Sequence, residues 1–333
     1  MNYKFLSATF YIVFLLSLTT FTSCDSKKKV VENKNAIDSI SKISDPAARI
    51  AALDKSIADQ PNNAKLYFER SKAYDQAGNL EKALENAKTA IEKDTAQASY
   101  YFYMSDLFMK KPSVKNALNI MERLKISQPK NKMVYLKLAE LYVNSAKNEE
   151  SLTNIEEVLK IDRNTPEAFF WRGYNFREMK MYDKAISNFQ KAIELKPDYV
   201  DAYVILGLLY QDKKDPKAEE YFTSAIRINP KDTAALYDRG KYYQDMDSFQ
   251  KAIDDYKKIL DLDPNKRNPN FGIGYCLYKL KNYNDALGYF SKVLLIDPKD
   301  AAAHDGRSLC YRGLGDVSKA NEEKEIADKL YAK

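Results

Sequence analysis

Residues 169–197 read FFWRGYNFREMKMYDKAISNFQKAIELKP. Gly173 is followed by Phe176 three residues on, and Ala185 by Phe189 four residues on and Ala192 seven on. Spacings of three, four and seven place side chains on one face of a helix. The stretch therefore reads as two helices, with a turn between Gly173 and Ala185 and a stop at Pro197. Proline suits that stop because it lacks the N–H that a helix interior requires.

The same clock runs along most of the 333 residues. Ala83, Ala117, Ser151, Ala185, Ala218, Ala252, Ala286 and Ala320 follow one another at 34 residues, with a single step of 33. Twelve residues before them stand Ser71, Ser105, Ala139, Gly173, Gly240, Gly274 and Ser308; Gly207 precedes Ala218 by eleven. The one deletion thus falls in the turn Asp212-Lys213-Lys214-Asp215-Pro216. Large apolar residues keep step at Tyr74, Phe108, Tyr142, Phe176, Tyr210, Tyr243, Leu277 and Tyr311. A period of this length marks a stacked array of helical hairpins. Asn63, Asp232 and Asp300 are placed to cap first helices.

This pattern resembles the tetratricopeptide repeat, whose signature W-x2-L-G-x2-Y, A-x3-F, P is met best by Phe169, Arg172, Gly173, Phe176, Ala185, Phe189 and Pro197. The resemblance implies an all-α fold, a right-handed α-solenoid of stacked helix-turn-helix units. Eight repeats are expected over 64–333, starting near Ala64, Ala98, Lys132, Pro166, Val200, Thr233, Arg267 and Ala301. Residues 45–63, with Ile50, Leu53 and Ile57 on one face, read as an N-terminal capping helix. At the far end Asn321-Glu322-Glu323-Lys324-Glu325 reads as a polar cap.

Residues 1–23 differ in kind. Lys4 is the only charge before Asp25, and Phe5–Ser23 is uncharged and largely apolar. With Cys24 behind Phe21-Thr22-Ser23, this resembles a bacterial lipoprotein signal peptide, with Phe21 where Leu is usual. The resemblance implies cleavage before Cys24 and its lipidation. An uncleaved 19-residue anchor and an ordinary secretory signal stand beside that reading. Residues 24–44 read as a flexible polar tether.

The 53 Lys and Arg balance 47 acidic residues to a net +6, with signs interspersed, so no nucleic-acid partner is expected. Cys276 and Cys310, one repeat apart, read as free buried thiols. The single histidine, His304, has no cysteine cluster around it, and Gly272-Ile273-Gly274 lies inside a helix with no strand before it. No catalytic, metal or cofactor site is expected, and the chain reads as a non-enzyme.

In tetratricopeptide arrays the first helix of each repeat lines the concave face, presenting its second, fifth, ninth, twelfth and thirteenth positions. Carried onto this chain, the partner-binding candidates are Phe68, Phe102, Phe170, Tyr237 and Phe271 at the fifth position, with Tyr174, Tyr275 and Tyr278 beside them. Packing between repeats is the competing role for these rings. The carboxylate clamp of chaperone-binding repeats is missing, since aromatics and Lys72, Asp106 or Glu140 occupy its positions. The chain thus resembles repeat lipoproteins that act as scaffolds. The expected protein is lipid-anchored in the outer membrane, faces the periplasm, and binds envelope proteins or their segments. A structural subunit that assembles, with itself or others, is the alternative.

Overall fold

The computed structural model describes residues 37–332, and among these the chain is helical with no strand. The leader, Cys24 and residues 25–36 lie outside the described residues. After α1 (Pro46–Asp59) come eight hairpins. They are α2 (Ala64–Gln76) with α3 (Leu80–Lys93), α4 (Ala98–Lys110) with α5 (Val114–Ser127), α6 (Lys132–Val143) with α7 (Asn148–Ile161), and α8 (Pro166–Glu178) with α9 (Tyr182–Leu195). Then follow α10 (Val200–Asp212) with α11 (Lys217–Ile228), α12 (Thr233–Asp245) with α13 (Phe249–Leu262), α14 (Arg267–Lys279) with α15 (Tyr283–Ile296), and α16 (Ala301–Gly313) with α17 (Val317–Tyr331). The chain divides into two compact units, one ending at Asn154 and the other beginning at Ile155.

Local chemistry sets the helix ends. Asp45, Asn63, Asp232 and Asp300 accept backbone N–H bonds from the first turns they precede, at 2.8–3.2 Å. In the first hairpin turn, Asn79 N donates to Tyr74 O at 2.9 Å and Gly78 N to Asp75 O at 3.0 Å. That double closure needs a left-handed residue, and Gly78 has φ +74°. Ala146, Lys180, Lys214, Asp247, Lys281 and Gly315 repeat it, with φ between 52° and 84°. The second hairpin has Pro112 at this place, which has no N–H to donate and cannot take positive φ. Of the two closing bonds it keeps the one that spans five residues, Ser113 N to Phe108 O at 2.9 Å.

In the first unit, Ala83, Ala87, Ala117, Met121 and Leu124 are fully buried between helices. Leu53 of α1 packs with Leu66 and Ala73 of α2, and Ile37 joins them at 5 % exposure. This corrects the tether reading: residues 37–41 are helical, because Ile37 and Ile40 find an apolar seat against α1 and α2. In the second unit, Ala185, Ala218, Ala252 and Ala286 leave room for Phe189, Phe222, Tyr256 and Phe290, which are almost wholly buried. Small residues on the neighbouring first helices admit these rings. A Cβ at Gly207 would lie 2.6 Å from the Phe222 ring, and one at Gly306 would lie 2.6 Å from Phe290.

Candidate functional site

In the first unit, Phe68 of α2 is half-buried, its ring 4.6 Å from Tyr100 and 5.3 Å from Tyr103 of α4. Lys72 Nζ stands 4.2 Å above the same ring. Phe102 is likewise half-buried and packs into the core of this unit. Tyr103 donates to Asp75 Oδ2 at 3.0 Å. Burial first, then this carboxylate, pushes its phenol well above the usual range.

In the second unit the rings differ in depth. Phe170 is 7 % exposed, stacked at 4.8 Å on Tyr199 and in edge contact with Trp171 and Phe189. It is a core residue and offers little surface to a ligand. Tyr174, one turn on, remains half-buried with the Arg177 guanidinium 4.1 Å above its ring. Tyr237 of α12 lies 5.7 Å from Tyr256, and Phe271 of α14 lies 5.5 Å from Phe290. Tyr275 and Tyr278 are also half-buried, and Tyr278 rests 5.9 Å from Tyr283. The structure thus joins Phe170 to Tyr174 in one ring cluster, and carries Phe271, Tyr275 and Tyr278 together on α14.

The charges near these faces are largely used within the chain. Lys72 pairs with Glu69 at 3.0 Å, and Arg177 with Glu178 at 2.9 Å. Lys137 sits between Asp106 at 2.9 Å and Glu140 at 3.0 Å. Burial would lower its pKa, but the two carboxylates outweigh that and hold it above the usual lysine range.

Residues weighed for chemistry have structural places. Cys276 and Cys310 are free and buried. His304 Nδ1 lies 2.6 Å from Glu323 Oε2, and Arg307 reaches the other oxygen of that carboxylate at 2.8 Å. Glu323 is 8 % exposed, so this member of the polar C-terminal run turns inward. Among the described residues no group of His, Cys, Asp or Glu is set to hold a metal ion, and no helix is long and apolar enough to cross a membrane.

One feature escaped the sequence reading. The seventh position of the first helix is arginine in four hairpins, and sixteen residues later stands an amide or carboxylate. Arg70 Nε donates to Asn86 at 2.7 Å, Arg172 Nε to Asn188 at 2.6 Å, and Arg239 forks onto Asp255 at 2.7 and 2.8 Å. Arg307 with Glu323 completes the set. The recurrence of arginine before Asn, Asp or Glu at that fixed interval was the available signal.

Known proteins agree with this architecture. Residues 64–94, 134–165 and 200–232 match a family model described as tetratricopeptide repeat, as do 243–310, and residues 173–214 match one described as TPR repeat. Anaphase-promoting complex subunit 3 of Schizosaccharomyces pombe is 24 % identical over 168 residues, 50 % of this chain and 25 % of that protein. Hsp70-Hsp90 organizing protein 1 of Glycine max is 27 % identical over 125 residues, 38 % of this chain and 22 % of that one. The chain spans about a quarter of the length of these curated relatives. A solved tetratricopeptide repeat protein from Parabacteroides merdae shares the fold, with a TM-score of 0.52 and 19 % identity over 74 % of this chain and 98 % of that chain. Helical hairpins, buried small-residue columns and matching family models lead to one statement: this chain carries tetratricopeptide repeats.

Proposed function

We propose that this protein is a non-enzymatic scaffold, anchored to a bacterial envelope membrane through Cys24, that binds segments of partner proteins along its first helices. The observation that carries the binding reading is a difference in depth. Phe189, Phe222, Tyr256 and Phe290 are consumed by packing, whereas Tyr174, Tyr237, Phe271, Tyr275 and Tyr278 keep part of their rings in solvent. Tyr174, Phe271 and Tyr275 also lie beneath the cations of Arg177, Arg267 and Lys279, and half-buried aromatics of this kind are amphipathic, a quality of interface anchors. The names of the relatives, an organizing protein and a subunit of a complex, agree with a role among other proteins. The envelope and the anchor rest on Phe5–Ser23 and Cys24 in the sequence.

The test is to recover partners from detergent-solubilised envelope with wild type and with Tyr174→Ala plus Tyr275→Ala. Anchors of this kind often cost at least about 2 kcal/mol each, so two additive losses weaken binding roughly a thousandfold. Equal recovery by two equally folded proteins sinks the reading. One observation favours the structural alternative: Leu314, Val317, Ile326 and Tyr331 of the last hairpin are 42–61 % exposed. Self-association through that surface should ignore the tyrosine pair and respond to Val317→Asp.

A further inference from the structure

We propose that Arg172 is the centre of a carboxylate-binding cleft, flanked by α7 and α9, that takes an acidic segment of a partner protein. Four arginines hold equivalent places in the repeats. Arg239 is neutralised by Asp255, Arg307 by Glu323, and Arg70, whose Nε uses neutral Asn86, sends Nη1 to Asp54 at 2.6 Å. Arg172 has the same neutral partner, Asn188, but among the described residues no carboxylate lies within ion-pair distance of it. Glu156 occupies the place that Asp54 takes before Arg70, sixteen residues earlier, yet stands beyond that distance. Burial lowers the pKa of Arg172, with Glu156 opposing from afar. A half-buried guanidinium whose hydrogen-bond partner is an amide, with its nearest carboxylate beyond ion-pair distance, still attracts an anion.

The surroundings suit that anion. Phe169 lies one turn before Arg172, and its ring sits 4.9 Å from the guanidinium carbon, giving the fork an apolar neighbour. On one side of Arg172 is a cleft of about 430 Å³ bounded by Glu156, Leu159, Lys160 and Arg163. Arg172 also borders a second cleft of about 460 Å³, lined by Ser187, Asn188, Gln190, Lys191 and Glu194. Lys160 and Lys191 are engaged by Glu157 and Glu194 at 2.6 Å, so Arg172 and Arg163 supply the uncommitted charge. A guanidinium fork matches a planar carboxylate with two parallel hydrogen bonds, and the stem of a glutamate can lie on Phe169. Arg172 and Tyr174 are about 200° apart around α8, so this cleft is separate from the aromatic face.

The test titrates the full-length protein in detergent with acetyl-tetraglutamate amide and, as the neutral match, acetyl-tetraglutamine amide. Binding is followed by calorimetry and by emission of Trp171, the single tryptophan. Tetraglutamate should bind and tetraglutamine should not. Arg172→Leu should weaken tetraglutamate at least tenfold; the third and fifth hairpins already carry Leu138 and Leu206 at this position. Glu156→Gln should tighten it severalfold, because the competing carboxylate is gone. Unchanged affinity in a folded Arg172→Leu protein overturns the proposal. So does a Glu156→Gln protein that binds no more tightly, which serves if the arginine variant does not fold. Displacement by equimolar inorganic phosphate also overturns it, as the site would then not select a carboxylate. The proposal does not rest on the aromatic-face reading: Tyr174→Ala with Tyr275→Ala should leave tetraglutamate binding intact, and its loss there would place the site on the other face.

Discussion

The Ser71 hydroxyl donates to the Ala83 carbonyl oxygen at 2.6 Å, tying together the two helices of the first hairpin. Ser308 makes the same bond to Ala320 at 2.6 Å, and Ser151 makes it in reverse to Ala139 at 2.9 Å. Serine in these small-residue columns therefore supplies a cross-helix bond as well as room. In the second hairpin Ser105 is equally buried, but its Oγ has no hydrogen-bond partner.

That contrast gives the first prediction. Ser71→Ala removes a buried bond and should cost about 1 kcal/mol. Ser105→Ala removes an unsatisfied hydroxyl and should be neutral or stabilising. Urea unfolding of both variants measures the difference. Equal losses would mean that Ser105 is satisfied in solution and that volume alone governs the column.

Tyr256 lies between two glycines. A Cβ at Gly240 would come within 2.6 Å of its ring on one side, and a Cβ at Gly272 within 2.5 Å on the other. Alanine is the better helix former by roughly 1 kcal/mol. Even so, Gly272→Ala should destabilise by about 1–3 kcal/mol, since the ring it meets is buried and has no free space to enter. Hydrogen exchange should rise first in α13 and α14, because each hairpin touches only its neighbours. A gain in stability would show that Tyr256 can shift aside.

How much of this was legible beforehand follows from what a 34-residue period can carry. Every hairpin carries a fully buried small residue at one place, alanine in seven and Ser151 in the third, so that column stands out from sequence alone. The arginine column occupies four hairpins of eight, and Met104, Leu138, Leu206 and Ile273 dilute it at the same position. The resemblance to tetratricopeptide arrays placed Phe170 and Tyr174 on one face but could not set their depth. Phe170 sinks because Tyr199, from the following connection, stacks over it. Glu323 sat in a polar run, and only the position of His304 and Arg307 across the hairpin explains why it turns inward. Gly272-Ile273-Gly274 reads from sequence only as a helix interior, and the structure adds which rings its glycines meet: Tyr256 at Gly272 and Phe290 at Gly274.

The anchor reading makes a separate prediction. A lipid-modified Cys24 should hold the mature chain on membranes through a high-salt wash, since acyl chains bind by apolar burial rather than by charge. Cys24→Ser should release the chain or leave it unprocessed, as read by fractionation and by the mass of the mature protein. Normal cleavage of that variant together with persistent membrane binding would refute lipidation at Cys24.

The last prediction concerns pH. Burial pushes the Cys276 thiol up to about 12 and the Cys310 thiol up to about 11. An unfolded thiol ionises near about 8.5. Below that value both states hold the proton and the thiols contribute no pH dependence. Above it the unfolded chain releases protons that the folded chain keeps, so stability falls as pH rises toward the folded values. Other groups also titrate in this range, notably the buried tyrosines, so the comparison must be with a variant. Cys276→Ala should lose packing at pH 7.5, because Cys276 is fully buried. By pH 10 its deficit relative to wild type should shrink, since it has no thiol to ionise. Urea midpoints of both proteins at the two pH values test this. A deficit that stays constant would mean that the Cys276 thiol ionises in the folded chain as readily as in the unfolded one, and that helix α14 opens to solvent at that position.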